Sequence, residues 1–327
     1  MRYLVAPLEG ITYPEYRLLH GKLFPGADCY YAPFLAPGDG KLKTAYLEKR
    51  LPDVREGGIL IPQILANDAE KFIRLANVMY DLGYGEVNLN VGCPSGTVFA
   101  KYKGAGMLRD LSSLERFLDE IYGAARMKIS IKTRLGTDSP EEFEKILELY
   151  NNYPVTELII HARTRQMQYA GKPDMEMVAW AMAHTEIPVC YNGNVFSTDS
   201  MDSMMEAVPG TVSVMLGRGV IANPALIRIL SGGEAMGQNE WKSFHDRLLD
   251  AYLASGLEER TAVNRMKELW FYMGCLFPDS EKYMKKLMKA NKAADYSEAV
   301  RTIEDSCDFN GAAGFADRAA ENKVYIK

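Results

Sequence analysis

The residue of this sequence with the clearest chemical potential is a cysteine that stands between a glycine and a proline. Cys93 lies in the segment NLNVGCPSG, where Gly92 permits a sharp turn and Pro94 stiffens the backbone that follows. A thiol with a pKa near ~8.5 is mostly protonated at neutral pH, yet it gives up its proton readily. This favours a general acid, which suits reduction of a conjugated C=C bond. A papain-type nucleophile has less support, because no acidic residue and histidine form a relay nearby in the sequence.

Further polar residues recur where short apolar runs end. Each alone is more often a capping group or a satisfied core residue, but seven such run ends together predict one shared site. The candidates are Pro7, Leu8, Glu9, Gln63, Asn88, Asn90, Lys132, Arg134, His161, Arg163, Asn192, Gly193, Asn194, Gly217 and Arg218.

The elements that must position these residues follow from the apolar runs themselves. Eight runs are continuous rather than alternating, as expected for parallel strands that are buried on both faces. Helical patterns lie between them, for example from Ala69, from Ser112 and from Ser139, which is expected to cap a helix at Pro140. The alternation predicts an α/β fold, a (β/α)8 barrel with its active site at the C-terminal strand ends. The runs begin at Tyr3, Cys29, Ile59, Glu86, Lys128, Glu157, Ile187 and Val212.

The chain of 327 residues is longer than one such barrel needs. The strand signal stops after Leu230, and the segment from Glu240 onward is helical in period. We therefore expect a barrel domain over residues 1–235 and a smaller all-α domain over 236–327. The formal net charge of −5 means that any nucleic-acid partner needs a local basic surface.

Composition also bounds the location and the chemistry. The five cysteines form no C-x-x-C pair, and an odd count without a pairing pattern is typical of a reducing cytoplasm. We expect Cys29, Cys190, Cys275 and Cys307 to be small buried hydrophobes. The sequence predicts neither a signal peptide nor a membrane span. No second histidine lies near His161, so no metal site is expected.

Two glycine-containing strand ends indicate a phosphate site. YNGN and MLGRG each follow an apolar run and lead into a helix, and Arg218 adds a charge-assisted contact. The segment from Gly217 to Ala222 also fits G-x-G-x-x-A, but helices follow it instead of the second strand that a dinucleotide fold requires. An ammonium such as that of Lys132 can stabilise the anionic reduced ring of a flavin, and Gln63 can bind its pyrimidine edge. His161 is open to three interpretations: a cofactor ligand, a proton donor or a strand cap.

Together these motifs resemble the tRNA-dihydrouridine synthase family, in family order along nearly the whole barrel. The GCP block and the pattern H-x-R-T-R-x-x-x-Y-x-G are the most specific. Where the family more often has Met, Asp and Asp, this chain has Leu8, Tyr13 and Asn194, and no catalytic group is lost. The matching segments are APLEGIT from Ala6, Gln63 of IPQ, NLNVGCPS from Asn88, KGAGMLRD from Lys103, IKTRLG from Ile131, HARTRQMQYAG from His161, YNGNV from Tyr191 and LGRG from Leu216.

The resemblance implies an FMN-dependent reduction of the C5=C6 bond of a uridine in tRNA, with NADPH reducing the flavin. Cys93 would then be the catalytic residue that protonates C5. Asn90 and Arg134 would contact the uracil. The residues implied to bind the cofactor are Pro7, Leu8, Gln63, Lys132, His161, Asn192, Gly193, Asn194, Gly217 and Arg218. A cytoplasmic monomer is expected.

A basic helix face offers a place for the RNA. Its lysines follow helical i, i+3, i+4, i+7 spacing, while Tyr283, Met284, Leu287 and Met288 can turn inward. A solvated lysine face is an equally good interpretation without the resemblance. Basic loop residues at the barrel mouth can extend this surface. The face comprises Lys282, Lys285, Lys286, Lys289 and Lys292, and the loop residues are Lys41, Lys43, Lys49, Arg50, Lys101 and Lys103.

Three other functions fit parts of the pattern. An FMN-dependent barrel reductase could act on a free small-molecule enone or pyrimidine, although the helical domain argues against it. An aldolase-like barrel could use Lys132 as a Schiff base. An RNA-binding barrel without chemistry is the least supported, because Cys93, Lys132 and His161 are all present.

Overall fold

The computed structural model describes residues 1–38, 47, 50–51 and 59–315. Contacts between Cα atoms divide the chain into two compact units. Unit 1 comprises Met1–Glu9, Asp28–Asn194 and Asp202–Leu216, and unit 2 comprises Gly10–Ala27, Val195–Met201 and Gly217–Lys327. The boundary expected at residues 235 and 236 stays a prediction.

Unit 1 is built on one all-parallel sheet. Its hydrogen-bonded order is β3-β2-β1-β9-β8-β7-β6-β5-β4, so the two ends of the sheet are consecutive strands. This nearly closed barrel confirms the predicted fold class. The strands are β1 Arg2–Val5, β2 Cys29–Tyr31, β3 Ile59–Ile61, β4 Gln63–Ile64, β5 Glu86–Val91, β6 Lys128–Arg134, β7 Leu158–His161, β8 Val189–Asn192 and β9 Ser213–Leu216.

The third predicted run forms two short strands instead of one. Pro62 separates β3 from β4, and a proline has no N–H to donate to a neighbouring strand. The carbonyl of Ile61 accepts from Ala32 in the loop after β2, whereas the carbonyl of Pro62 accepts from Asn88 on β5. The chain therefore changes its pairing partner at Pro62, and this change brings the sheet round to closure.

Helices connect the strands of unit 1 and largely confirm the predicted alternation. Most carry an apolar stripe that is buried, as in α2, where Phe72, Leu75 and Met79 are buried. The predicted cap at Ser139 is wrong by two residues, because α5 begins at Glu142 and its N-cap is Glu141. The carboxylate of Glu142 accepts the N–H groups of Asp138 and Ser139. The helices are α2 Ala69–Asp81, α3 Gly96–Ala100, α4 Leu111–Ala124, α5 Glu142–Tyr150, α6 Met175–Ala183 and α7 Thr198–Ala207, with a 3-10 helix at Gly104–Arg109.

The barrel interior is a closed apolar layer below a polar one. Because side chains at i and i+2 of a strand face the same side, residues two positions beyond the apolar layer point into the same space. Gln63 follows Ile61, His161 follows Ile159 and Asn192 follows Cys190 in this way. The buried cluster comprises Leu4, Ala6, Cys29, Tyr31, Ile61, Ile159, Cys190 and Met215.

Unit 2 is helical in its described part. Its core is aromatic: Trp241 stacks on His245, and Tyr296 Oη accepts a hydrogen bond of 2.7 Å from Trp270 Nε1. Within the described ranges no helix has the length and apolar character to span a membrane. The helices are α1 Pro14–Leu23, α8 Arg218–Ala222, α9 Leu226–Leu230, α10 Gln238–Ala254, α11 Glu259–Met273, α12 Glu281–Lys289 and α13 Ala293–Ser306, with a 3-10 helix at Gly274–Leu276.

Candidate active site

Strand register places the predicted site residues of unit 1 side by side. Gln63 on β4 pairs with Asn88 on β5, and Asn90 pairs with Lys132 on β6. His161 on β7 lies between Arg134 on β6 and Asn192 on β8. The C-terminal strand ends therefore form one continuous polar arc.

Three buried carboxamides in this arc form a hydrogen-bonded chain. Asn88 Nδ2 donates to Ser130 Oγ at 3.0 Å, and Gln63 Nε2 donates to Asn88 Oδ1 at 2.7 Å. Asn90 Nδ2 donates to Gln63 Oε1 at 2.7 Å. Asn90 Oδ1 in turn accepts the backbone N–H of Cys93 at 2.9 Å. Since a backbone N–H can only donate, it fixes which end of each carboxamide faces its neighbour.

Cys93 is half-buried on the loop that leaves β5. Burial is the main reason that the pKa of its thiol is raised, although the N–H of Ser95 and the cations of Arg134 and Lys132 act in the opposite direction. A raised pKa keeps the sulfur protonated at neutral pH. The environment therefore suits a proton donor better than a thiolate nucleophile.

The segment KGAG, from Lys103 to Gly106, packs against the cysteine loop, and Gly104 is the residue that makes this close packing possible. Its φ is +55°, and a Cβ at this position would lie 2.8 Å from Cys93 Cβ. The N–H of Ala105 also donates to the carbonyl of Cys93 at 3.1 Å. The KGAG segment thus packs directly against the cysteine.

We expect Gly104→Ala to lower the free energy of unfolding by roughly 1–3 kcal/mol, because both the backbone conformation and the space require glycine. Urea denaturation measures the change. Gly123→Ala is the matched control: it lies near the end of α4 with nothing within 4 Å, and we expect it to be neutral or slightly stabilising. Equal effects of the two substitutions would show that Gly104 does not constrain the loop.

Lys132 is a cation without an anionic partner among the residues that the structure describes. Burial, followed by the nearby charge of Arg134, lowers the pKa of its ammonium group to about 7. Two adjacent cations at the mouth of a barrel favour an anionic or strongly hydrogen-bond-accepting ligand. This position fits an electron-rich edge of a flavin ring.

The loop after β7 is held by two buried arginines. Arg163 donates from Nε to the carbonyl of Ala170 and from Nη2 to that of Gly171, at 3.0 and 2.7 Å. Arg134 donates to three backbone carbonyls, those of Gly92, Thr164 and Gln168, at 2.8 to 2.9 Å. Arg134 therefore ties the cysteine loop to the loop after β7. Its predicted contact with uracil stays a prediction.

These contacts also place an aromatic ring next to His161. Tyr169 lies in the arginine-held loop, with its ring centroid 5.8 Å from that of His161 and 5.7 Å from Arg134 Cζ. Nearly half of the Tyr169 side chain is exposed. This tyrosine can stack on a planar ligand.

The end of β8 carries an unsatisfied hydroxyl. Asn192 Nδ2 donates to the carbonyl of Met215 at 2.8 Å, which fixes that side chain. A Cβ on Gly193 would collide with Tyr191 Oη, and within the described residues this buried hydroxyl has no hydrogen-bond partner. A buried hydroxyl without a partner beside a glycine suits a ligand rich in oxygen, such as a ribityl phosphate. The residues present thus fit the phosphate-bearing flavin that the resemblance implies.

Gly217 and Arg218 belong to unit 2. Arg218 begins α8, and its Cζ lies 5.4 and 5.2 Å from the ring centroids of Phe196 and Phe315. Because α8 has only five residues, it contributes N–H groups rather than a long helix dipole. Its role toward a phosphate stays a prediction.

The predicted basic face lies on α12 in unit 2. Lys282, Lys285, Lys286 and Lys289 are exposed, but the ammonium of Lys286 pairs with Glu298 at 2.6 Å. Met284 and Leu287 are buried as predicted. Met288 is 42% exposed, so the expectation that it turns inward is wrong.

The basic loop residues differ in ion pairing and in exposure to solvent. Arg50 pairs through both terminal nitrogens with the carboxylate of Glu9, so its charge is compensated locally. Lys101 is exposed and Lys103 is half-buried. Lys41, Lys43 and Lys49 lie outside the described residues.

Sequence analysis missed several residues that shape this site. Ser130 and Tyr191 follow the same alternation as their neighbours, but nothing in their types marked them. Gly104 stood within a motif that contributed only to the resemblance. Tyr169 was also visible only as part of the H-x-R-T-R motif.

The strand ends of this parallel barrel combine a lysine, a carboxamide chain and a thiol, a set of groups that suits a barrel enzyme. A family model for dihydrouridine synthase (Dus) matches residues 4–308. The chain therefore belongs to the dihydrouridine synthase family.

Curated relatives differ in how much of the chain they cover. The tRNA-dihydrouridine(16) synthase of Escherichia coli K12 is 26% identical and covers 93% of this chain and 99% of its own. The one from Ralstonia nicotianae is 28% identical and covers 95% and 94%. By contrast, tRNA-dihydrouridine synthase B of Vibrio cholerae is 28% identical but covers 68% of each chain.

Solved structures share the barrel fold. Morphinone reductase in complex with tetrahydroNAD aligns with a TM-score of 0.51 at 13% identity, over 74% of this chain and 90% of its own. The old yellow enzyme from Trypanosoma cruzi aligns with a TM-score of 0.51 at 11% identity, over 76% and 93%. At this identity the likeness shows the fold alone.

Proposed function

We propose that this protein reduces the C5=C6 bond of a uridine in tRNA, with FMN as cofactor and NADPH as the reductant of FMN. The observation that carries the proposal is geometric: Asn90, which accepts the backbone N–H of Cys93, is paired in register with Lys132 on β6, so the cysteine loop and Lys132 lie at the same end of the barrel. The family match over residues 4–308 supports it.

The bound flavin would supply a hydride to C6 of the uracil. Gln63 and Lys132 would hold the ring, with Pro7, Leu8 and His161 beside it. Both ends of the Gln63 carboxamide are already engaged, so its remaining hydrogen is a second Nε2–H. Gln63 therefore presents a donor, which suits an acceptor atom of the ring. Asn192, Gly193, Asn194, Gly217 and Arg218 would hold the ribityl phosphate.

Cys93 would supply the proton. As hydride adds at C6, the Cys93 S–H bond breaks and a C–H bond forms at C5, which leaves a thiolate that solvent reprotonates. Asn90 accepts the backbone N–H of Cys93, so it helps to hold the cysteine loop in place. In this proposal Asn90 and Arg134 also border the uracil.

We further propose that the target is the uridine at position 16. The relatives named for that position match across both units of the chain, whereas the B-type relative matches about two thirds of it. In an enzyme that acts on one flipped base, the part that binds the remaining RNA decides which base reaches the site. Similarity across the helical unit is therefore the similarity that bears on which uridine is reduced.

The test is to incubate the FMN-loaded protein with NADPH and an unmodified tRNA transcript that carries uridines at several positions of the same loop. Mass spectrometry of nuclease fragments should show a gain of two hydrogens at position 16 alone. A transcript with cytidine at position 16 is the control and should gain none. Reduction at another position would overturn the assignment of position 16, and reduction of free uridine at an equal rate would favour a small-molecule reductase.

A further inference from the structure

Four side chains on the loops after β5 and β7 form an alternating cationic and aromatic surface, which we call the arginine–aromatic strip. Arg165 Cζ lies 4.2 Å from the ring centroid of Phe99. Arg109 Cζ lies 5.0 Å from the same centroid and 4.5 Å from that of Tyr102. The strip therefore runs Arg165, Phe99, Arg109, Tyr102 within unit 1.

Within the described residues, no acidic side chain pairs with the arginines of this strip. Among the residues that the structure describes, Arg109 and Arg165 form no ion pair, and the buried Nε of Arg165 has no hydrogen-bond partner. The neighbouring acid, Asp110, is engaged at 2.7 Å by the hydroxyl of Ser113. A similar pair elsewhere differs: Arg126 lies 4.3 Å from the ring of Tyr80, but its guanidinium also contacts the carboxylate of Asp81.

Tyr102 is presented to solvent by an unusual backbone. Its φ is +51°, a left-handed conformation that costs a bulky residue free energy, and half of its side chain is exposed. The tyrosine also borders a cavity of about 420 Å³, which Met107 and Phe117 line as well. An exposed ring that borders such a cavity can stack on a planar base.

The strip lies next to the thiol. α3 carries Phe99 and begins three residues after Cys93, and the 3-10 helix that ends at Arg109 donates from Ala105 to the Cys93 carbonyl. A base that reaches Cys93 stays covalently joined to nucleotides on both sides. A nucleotide on one side of the target base can therefore reach this surface.

We propose that the arginine–aromatic strip binds a nucleotide that flanks the target uridine, with Arg109 and Arg165 on phosphates and Tyr102 stacked on the base. The proposal rests on the proposed function, because it presupposes an RNA substrate. Alternating guanidinium groups and rings are what a single-stranded RNA segment needs, since phosphates bind cations and unstacked bases bind rings. In this proposal the strip binds RNA and takes no part in proton transfer, which Cys93 carries out.

The test compares matched variants of the FMN-loaded protein. Arg109→Ala combined with Arg165→Ala removes two phosphate contacts, and Tyr102→Leu removes the stacking surface. The controls are Arg126→Ala and Tyr80→Leu, which alter a similar pair formed by Arg126, just before β6, and Tyr80, on α2 before β5. Two quantities are measured: the Kd for unmodified tRNA as a function of salt, and NADPH oxidation with FMN.

We expect the double arginine variant and Tyr102→Leu each to raise the Kd for tRNA by about tenfold or more. The slope of log Kd against log salt should fall by about 1.4 in the arginine variant, from two single-strand phosphate contacts. NADPH oxidation should stay within about twofold of the wild type. The Arg126 and Tyr80 controls should leave both quantities unchanged.

A Kd and salt slope equal to those of the controls would overturn the proposal, and so would a wild-type protein that does not bind tRNA. If the wild type binds tRNA through the strip but forms no dihydrouridine, the proposed function is overturned, whereas the proposal that the strip binds RNA is not. Circular dichroism and FMN content check that each variant is folded.

Discussion

Replacement of Cys93 by alanine is expected to lower dihydrouridine formation by about 10²- to 10⁴-fold, the range over which a positioned acid contributes. NADPH-dependent reduction of the flavin should change by less than about twofold, because that step needs no proton from this side chain. The raised pKa of the Cys93 thiol means that the wild type holds the required proton at neutral pH. The two half-reactions are measured separately, by flavin bleaching under anaerobic conditions and by product analysis of tRNA.

Two controls sharpen this experiment. Cys307→Ala removes the other half-buried cysteine and should leave both half-reactions unchanged. Cys93→Ser places a hydroxyl where the thiol was. A hydroxyl is a far weaker acid than a thiol, so this variant should recover only a small part of the activity that Cys93→Ala loses. Equal loss of flavin reduction and uridine reduction in Cys93→Ala would contradict the role of the thiol as proton donor.

Replacement of Lys132 by methionine is expected to weaken FMN binding by about 10- to 100-fold at pH 7 and to remove its dependence on pH. Burial and Arg134 lower the pKa of the Lys132 ammonium to about 7 in the free protein. A ligand that requires the ammonium raises that pKa on binding. Wild-type affinity should therefore be flat below pH 7 and fall by up to tenfold for each pH unit above it.

Fluorescence titration of FMN between pH 6 and 9 measures this effect. Lys128→Met is the matched control, since Lys128 lies on the same strand at its exposed N-terminal end. It should bind FMN as the wild type does, with the same pH profile. A Lys132→Met protein that keeps the wild-type affinity and the wild-type pH profile would show that this cation does not face the cofactor.

The barrel could be predicted from the sequence because its signal is local. Each continuous apolar run reports a strand that is buried on both faces, and each amphipathic pattern between runs reports a helix. At Pro62 this local reasoning predicts one strand where the fold has two, β3 and β4. Whether a proline interrupts a strand or lets it change partners depends on which strand lies on each side, and that is a long-range property.

The residue types at the strand ends could be read from the sequence, but the hydrogen bonds that join them could not. The contact of Asn90 with the substrate stays a prediction, and the fold adds that its oxygen accepts the N–H of Cys93 and its nitrogen donates to Gln63. Such hydrogen bonds join residues from different strands, so no pattern along one strand contains them. The sequence also does not reveal that the Tyr191 hydroxyl is unsatisfied and lies beside Gly193, because this depends on the folded backbone.

Burial was predicted well where a single residue type decides it. Cys29, Cys190 and Cys275 are buried as expected, but Cys307 is only half-buried, because it follows the last residue of α13. Met288 shares the helix of Leu287 yet is exposed. An apolar type predicts burial only when a neighbouring element covers that face of the helix.

The central claim is that the polar strand ends hold a flavin next to Cys93. The most direct test is a crystal structure of the protein purified with FMN. We expect the flavin ring within hydrogen-bond reach of Gln63 and Lys132, with the sulfur of Cys93 facing that ring. A flavin bound elsewhere, or a Cys93 sulfur turned into the packed interior, would contradict the account.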